Sequence, residues 1–322
     1  MAEIRVHLLG GAEATAAAQL APLLNGAISL TEGTAVPAGT QILVGGVPTR
    51  DQLTSPQLTS LIIPWTGLPR RTAELLGDFP HVQAYNLHHN ALMVAELTVT
   101  LLLAAAKFIL PLDRAMREGD WSRNEPTRTV LLSGKMCLIL GYGAIGQRVA
   151  PVCRALGMTV IATRRQPAES DGIAHEIHGS CALPDLLPRA DAVLVCLPLT
   201  GKTRGLIGGE ELALLPENAV IVNVGRGSIL DEEALFTALR ERRIAGAGLD
   251  VWYNYPQDDA SSSNTQPSSF PFADLDNVVM SPHRGGSVIE TEQLRAEALA
   301  EMLNTAAAGR PLPNRVDLER GY

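Results

Sequence analysis

Short apolar runs alternate with amphipathic stretches along nearly the whole chain. In the first 90 residues, Ile4–Leu9, Gln41–Val44, Ser60–Pro64 and Val82–Tyr85 are brief and aliphatic, are bounded by Gly, Pro and Thr, and predict strands. Between them, Ala12–Leu24 and Arg70–Leu76 have helix-forming composition. This strand–helix–strand order points to a parallel sheet covered by helices. Ala91–Glu118 predicts a long helical stretch, bent or broken at Pro111, because a proline lacks the donor that a helix interior needs. Its most apolar part, Ala91–Leu110, is interrupted by Glu96, Thr98, Thr100 and Lys107, which suits a buried helix better than a membrane span.

A second alternating block runs from Lys135 to Pro282. Met136–Leu140, Thr159–Thr163, Ala192–Cys196, Ala219–Val224, Ala247–Val251 and Val278–Met280 predict six strands. Helical segments follow Ala144 and Gly208, surround Leu183–Leu187 and cover Glu232–Arg240, so this block predicts a doubly wound sheet. The C-terminal segment opens with a predicted helix, Val288–Ala308, rich in Ala, Leu and Glu. Gln257–Ser269, rich in Ser, Asp and Asn, is expected to be a mobile surface loop. At 322 residues the chain is long enough for about two domains, each with a substantial core.

Composition narrows the classes. With 46% hydrophobic and 19% charged residues, wholesale disorder is excluded. A formal charge of -8, without a basic run, argues against a surface that neutralises nucleic-acid phosphates. Cys137, Cys153, Cys181 and Cys196 form neither a C-x-x-C pair nor a dense framework, as expected in a reducing compartment. The stretch Met1–Val6 shows no signal-peptide pattern, so a cytoplasmic location is the expectation. His88 and His89 are the only adjacent histidine pair. Adjacent side chains on a strand or helix point apart, so no metal site is expected from them.

The chemistry concentrates at strand ends. Gly141, Gly143 and Gly146 form G-x-G-x-x-G directly after a strand and open a helix, with Ala144 and Ile145 between them. In that context the first glycine permits the tight turn, the second lets a pyrophosphate approach the backbone, and the third allows close helix–strand packing. The helix N-terminus adds free N–H groups and a positive dipole end. A dinucleotide is therefore the expected cofactor. The next strand ends in Arg164 and Arg165, where such folds usually carry an acid for the ribose hydroxyls. Guanidinium groups accept a 2′-phosphate that a carboxylate would repel, which favours NADP, with NAD possible; two solvated arginines are the bland alternative. Arg226, between Gly225 and Gly227, and His283 also follow strands, on the edge where open sheets bind ligands. Arg226 there can clamp a carboxylate and polarise a carbonyl, although alone it fits a surface ion pair equally well.

With these motifs in view, the chain resembles the D-isomer-specific 2-hydroxyacid dehydrogenase family over nearly its whole length. Val94, Ala95 and Glu96 open the crossover helix and the glycine triplet follows. Then come Cys196–Thr200 with Thr203, Asn223–Gly227, Leu249–Val251 and Ser281–His283, in family order and spacing. The resemblance implies a Rossmann cofactor domain (91–287) inserted into a flavodoxin-like substrate domain (1–90 and 288–322), and a homodimer built on the cofactor domains. It implies Arg226 as the substrate-binding arginine and His283 as the acid/base, acting on a small 2-keto or 2-hydroxy acid. Leu197, Pro198, Thr203, Val224, Asp250 and Gly285 fall at cofactor-side positions, while Trp65, Thr66, Gly67, Asn90 and Tyr255 are expected on the substrate side. One departure stands out: Tyr255 occupies the place of the family's glutamate before Pro256, the residue that orients and charges the histidine. Two alternatives follow from it, a dinucleotide-sensing regulator with little turnover and a formate-type hydride transfer needing no acid/base.

Overall fold

The computed structural model describes residues 3–10, 17–122, 129–318 and 320. The chain folds into two compact units, Met1–Asn90 with Ser287–Tyr322, and Ala91–Gly286. The first unit begins β1 (Ile4–Leu9), α1 (Ala17–Leu20), β2 (Ile28–Gly33), β3 (Ile42–Val44), β4 (Ser60–Ile63), α2 (Arg70–Leu76) and β5 (Gln83–Asn86). Its five strands are parallel, in the order β2-β1-β3-β4-β5. This is the flavodoxin-like doubly wound order.

The second unit continues with α3 (Ala91–Ala106), α4 (Ile109–Arg117), β6 (Met136–Leu140), α5 (Gly146–Ala155), β7 (Thr159–Thr163) and β8 (Glu176–His178). It is completed by α6 (Leu183–Leu186), β9 (Ala192–Val195), α7 (Gly209–Leu214), β10 (Val220–Asn223), α8 (Glu232–Arg240), β11 (Gly246–Leu249) and β12 (Val278–Met280). Seven parallel strands run β12-β11-β10-β9-β6-β7-β8, the Rossmann order with one strand added at an edge. The chain then returns to the first unit as α9 (Thr291–Ala307).

Each sheet is buried on both faces, and the two-residue strand period sorts the side chains between them. In the second unit Leu138, Leu140, Val193, Val195 and Ile221 pack toward Leu235 and Leu239 of α8. Cys137, Ile139, Leu194 and Val222 face Leu101 and Leu102 of α3 and Val149 of α5. In the first unit Val6, Leu8 and Ile42 meet Leu299 and Leu303 of α9, while Leu43 and Leu61 meet Leu53, Leu58 and Leu76. Parallel strands covered on both sides read as continuous apolar runs, which is why these elements were visible in the sequence.

Three expectations are corrected. The sequence pattern misses β2 and β8, both at sheet edges; the six strands expected in the second unit are seven, and the four in the first are five. The long helix breaks at Lys107–Phe108 and not at Pro111. Phe108 takes a left-handed φ of 54°, α4 leaves at 66° to α3, and Pro111 sits in the first turn of α4, where its missing N–H has no partner to lose. Of the helix expected at Ala12–Leu24, residues 12–16 lie outside the described residues, Ala17–Leu20 is helical, and Ala21–Leu23 forms a 3₁₀ turn. Among the described residues no single helix is long and apolar enough to cross a membrane.

Candidate active site

The turn after β6 is shaped by what its glycines exclude. Gly141 has φ 99°, and a Cβ there would lie 2.9 Å from the backbone of Cys196. Its N–H and that of Tyr142 both donate to the Thr163 carbonyl, at 3.1 and 2.8 Å. A Cβ on Gly146 would strike the Gly141 carbonyl, so α5 can begin only with glycine there. Gly143 is different: a Cβ would meet nothing within 4 Å, leaving bare backbone beside open space. The α5 ladder starts with Gln147 N–H donating to the Gly143 carbonyl, so the amides ahead of it, through Ala144 and Ile145, lie outside the ladder. That combination fits a pyrophosphate. Tyr142 pins the turn from beneath. Its hydroxyl donates to Asp171 at 2.8 Å, and burial, helped by that carboxylate, pushes its pKa to about 12. Arg164 and Arg165 lie exposed just past β7.

The loops after β9 and β10 close the same edge. Thr203 donates its hydroxyl to the Pro198 carbonyl (2.6 Å) and accepts the Thr200 N–H (2.8 Å). Val224 is buried, its N–H on Val195, and a Cβ on Gly225 would lie 2.5 Å from the Leu197 carbonyl. Gly227 is pressed as closely against the backbone of Trp252. Buried Asn223 braces the loop between them, accepting from the Gly225 N–H (3.0 Å) and donating to the Arg226 carbonyl (2.9 Å). With both flanking residues held against backbone, Arg226 is extended and exposed, and its Nη1 donates to the Gly225 carbonyl at 2.7 Å.

Asp250, at the end of β11, is 1% exposed, and both its oxygens hold the loop after β12. Oδ1 accepts from the Ser281 hydroxyl (2.6 Å) and the Arg284 N–H (2.8 Å), and Oδ2 from the Gly285 N–H (2.9 Å). Trp252 Nε1 adds a bond to the Ser281 carbonyl at 2.8 Å. His283 is thus fastened on both sides, with a left-handed φ of 58° that costs a non-glycine residue of order 1–3 kcal/mol. Its imidazole is open to solvent on one side and lies against protein on the other. That partial burial, together with the charge of Arg226, lowers its pKa below 6.5, while Asp250 acts in the opposite direction. The Tyr255 ring stands beside it, 5.5 Å between centroids at 59°, with its Oη accepting the Trp252 N–H at 3.1 Å. Burial raises the Tyr255 phenol, which stays uncharged at neutral pH.

Trp65, Thr66, Gly67 and Asn90 belong to the first unit. The Trp65 ring covers Gly46 so closely that no Cβ fits there. The Thr66 hydroxyl reaches Asn90 Oδ1 (2.7 Å) and the Leu87 carbonyl (3.1 Å), and Asn86 Nδ2 donates to the Thr66 carbonyl (2.6 Å). The structure therefore gathers the glycine turn, Arg226, Asp250, Tyr255 and His283 at one edge of the large sheet, and in the small unit it joins Thr66, in the loop after β4 with Trp65, to Asn90, in the turn after β5. Not singled out from the sequence were Asn223, Ser281 and Trp252 as braces, and the Tyr142–Asp171 bond. The first two lie inside quoted motifs, whereas the last pair is 29 residues apart and leaves no local signal.

Comparison with known proteins follows the same lines. The family model for the NAD binding domain of D-isomer specific 2-hydroxyacid dehydrogenases matches residues 99–285. Relatives include a D-3-phosphoglycerate dehydrogenase of Methanocaldococcus jannaschii, 36% identical over 233 residues, which are 71% of this chain and 42% of the relative. A glyoxylate reductase of Aeropyrum pernix is 38% identical over 237 residues, 70% of this chain and 66% of the relative. The matched stretch thus spans about two-fifths to two-thirds of these proteins. Among solved structures, a D-isomer specific 2-hydroxyacid dehydrogenase from Xanthobacter autotrophicus Py2, in complex with NADPH and MES, is 28% identical with a TM-score of 0.77 and full coverage of both chains. An NADPH-dependent glyoxylate/hydroxypyruvate reductase from Sinorhizobium meliloti, covered at 99% of this chain and 100% of its own, has a TM-score of 0.78 at 22% identity, a likeness of fold.

Proposed function

Because this chain belongs to the D-isomer specific 2-hydroxyacid dehydrogenase family, we propose that it transfers a hydride between a nicotinamide dinucleotide, NADPH by preference, and a small 2-keto or 2-hydroxy acid. The observation that carries this reading is the meeting of Arg226 and His283 at the sheet edge that also bears the bare backbone of Gly143. The bound dinucleotide supplies the hydride. Gly143, Ala144 and Ile145 would hold its pyrophosphate by backbone N–H groups, in a turn that Gly141 and Gly146 shape, and Arg164 with Arg165 would receive the 2′-phosphate. Leu197, Pro198, Thr203, Val224 and Gly285 form the cofactor-side wall.

Arg226 grips the substrate carboxylate with its planar fork and polarises the neighbouring carbonyl. As hydride reaches the carbonyl carbon, His283 gives its proton to the carbonyl oxygen; in the oxidative direction it takes that proton back. Asp250 does not touch the reacting atoms in this scheme. It positions His283 through Ser281, Arg284 and Gly285. Trp65, Thr66, Gly67 and Asn90 are the substrate-side residues proposed within the first unit. A homodimer in the cytoplasm completes the assignment.

The test is a panel of 2-keto acids, each incubated with NADPH or NADH while the reduced nicotinamide is followed by absorbance. Oxidation of NADPH by at least one acid is expected. A second reading rests on Tyr255, a neutral side chain beside a histidine of lowered pKa, and makes the protein a dinucleotide sensor. Tight NADPH binding with no acid reduced at any pH would select it and reject the enzyme.

A further inference from the structure

The segment that leaves β7 carries Arg164 and Arg165 but has no hydrophobic anchor of its own. None of residues 164–173 is buried, so polar ties and not packing decide where the segment lies. At its root the Thr163 carbonyl accepts the N–H groups of Gly141 and Tyr142, and the Arg164 N–H donates to the His178 carbonyl at 2.9 Å. At its far end, residues 171–174 curl around the Asp171 carboxylate. Oδ1 accepts the N–H groups of Ile173 and Ala174, both at 2.9 Å, and Oδ2 accepts the Tyr142 hydroxyl at 2.8 Å. Arg154 of α5 donates to the neighbouring Gly172 carbonyl. Tyr142 is 3% exposed, and a phenylalanine ring would fill the same space. What its hydroxyl adds is a bond from the glycine turn to the exposed loop that follows the two arginines.

We propose that Tyr142 and Asp171 are positioning residues for the cofactor: they hold the arginine-bearing segment in register with the glycine turn, and so set the preference for a dinucleotide with a 2′-phosphate. The inference rests on the NADPH reading given above. Pyrophosphate and 2′-phosphate belong to one ligand and are joined through its adenosine ribose, so the groups that receive them must keep a fixed spacing. The bonds at Thr163 and Arg164 fix only where the segment starts. An unpacked loop that must become ordered as its arginines close on a phosphate subtracts that ordering from the affinity. A loop already fastened at Asp171 has given up much of this freedom before the ligand arrives. The carboxylate suits the task because it stays ionised. The Ile173 N–H first, then the Tyr142 hydroxyl and the Ala174 N–H, hold its pKa below the usual range, so the tie is charge-assisted. A dinucleotide without the 2′-phosphate makes no use of the arginines. It meets the same glycine turn, whose backbone bonds to Thr163 do not involve the phenol.

Fluorescence titration of the full chain with NADPH and with NADH tests this in wild type, Tyr142→Phe, Asp171→Ala and Asp171→Asn. NADPH affinity should fall about 5- to 10-fold in Tyr142→Phe while NADH changes less than about twofold; this is below the full effect of losing a hydrogen bond to a charged group, because the exposed carboxylate regains water. Asp171→Ala should lose at least as much. Asp171→Asn, which keeps an acceptor for the Ile173 and Ala174 N–H groups, should retain more of the preference. Adding Tyr142→Phe to Arg164→Ala/Arg165→Ala should change NADPH binding less than about twofold, since the tie then has nothing left to place. A tie that only supports the fold would lower the melting temperature and weaken both dinucleotides alike. An unchanged NADPH-to-NADH ratio in Tyr142→Phe and Asp171→Ala, beside a wild type that prefers NADPH, overturns the inference and leaves the cofactor reading intact. If Asp171→Ala does not fold, the ratio in Tyr142→Phe decides alone. Equal binding of both dinucleotides by wild type overturns the NADPH preference and this inference together.

Discussion

Exchanging the neutral neighbour of His283 for a charged one should move the pH dependence of the reaction. In keto-acid reduction His283 must be protonated, so the rate falls as pH rises through its pKa. That pKa lies below 6.5, because partial burial and the charge of Arg226 disfavour the imidazolium and the Tyr255 ring adds no charge. Tyr255→Glu places an anion where the ring stands. At a separation of 5.5 Å and an effective dielectric of about 20, attraction to the imidazolium is about 3 kcal/mol, or about two pKa units. The position is half open to solvent, and screening trims this to about one unit. The alkaline limb of kcat/KM should therefore shift up by about one pH unit, raising the rate above neutrality several-fold. Full pH–rate profiles of wild type, Tyr255→Glu and the neutral Tyr255→Gln check it. Coincident limbs for Glu and Gln would refute the reasoning, since shape and not charge would then govern the site. A nearby acid could already fill the role. Asp258, however, is turned onto Ser261, accepting its N–H and its hydroxyl at 2.8 Å each. If Tyr255→Glu matches wild type while Asp258→Asn/Asp259→Asn loses activity, the loop and not the tyrosine sets the histidine.

Arg164→Asp should weaken NADPH binding more than tenfold, about 2 kcal/mol, while changing NADH much less; equal titration of wild type by both cofactors would contradict it. Arg226→Lys keeps the charge but loses the fork, and kcat/KM should drop about a hundredfold in steady-state assays, whereas near wild-type turnover by Arg226→Ala would make the residue structural. Asp250→Asn sets an amide donor against the Ser281 hydroxyl and the N–H groups of Arg284 and Gly285, so the melting temperature should fall by the equivalent of about 1.5–3 kcal/mol, with kcat falling alongside.

Most of the fold is legible in the sequence because strands buried on both faces advertise themselves. Ile139, Leu194 and Val222 are each fully buried at the centre of the large sheet, and their segments stand out as apolar runs. Strand β2 escapes for the opposite reason: none of its six residues is fully buried, and Ser29, Thr31 and Glu32 interrupt the pattern. β8 is three residues long with one buried, too short for any period to show. The helix break escapes because the left-handed turn at Phe108 is a tertiary outcome, whereas Pro111 carries a conspicuous local signal that the first helical turn makes harmless. At the candidate site, the glycines and Arg226 are legible because they stand in short motifs directly after strands, although the backbones that exclude a Cβ at Gly141, Gly225 and Gly227 belong to Cys196, Leu197 and Trp252, far along the chain. The contacts that hold His283 join Asp250 to residues 31 to 35 positions away and could not be read.

Those long-range contacts separate two properties of the histidine. Its orientation comes from the backbone: Asp250 and Trp252 fix Ser281 on one side, Asp250 fixes Arg284 and Gly285 on the other, and the left-handed φ of His283 turns the ring outward between them. Its protonation comes from its surroundings, chiefly burial and Arg226. Where the family resemblance implies a glutamate, one carboxylate would serve both ends, so changing the charge would also release the ring. Here Tyr255 packs against the ring while its hydroxyl is committed to the Trp252 N–H, and the acid that braces the loop is a different residue, closed off from solvent. Substitution at 255 should thus tune the pKa of His283 with little loss of its placement, and substitution at 250 should disturb the placement first. That ordering follows from which atoms each side chain touches.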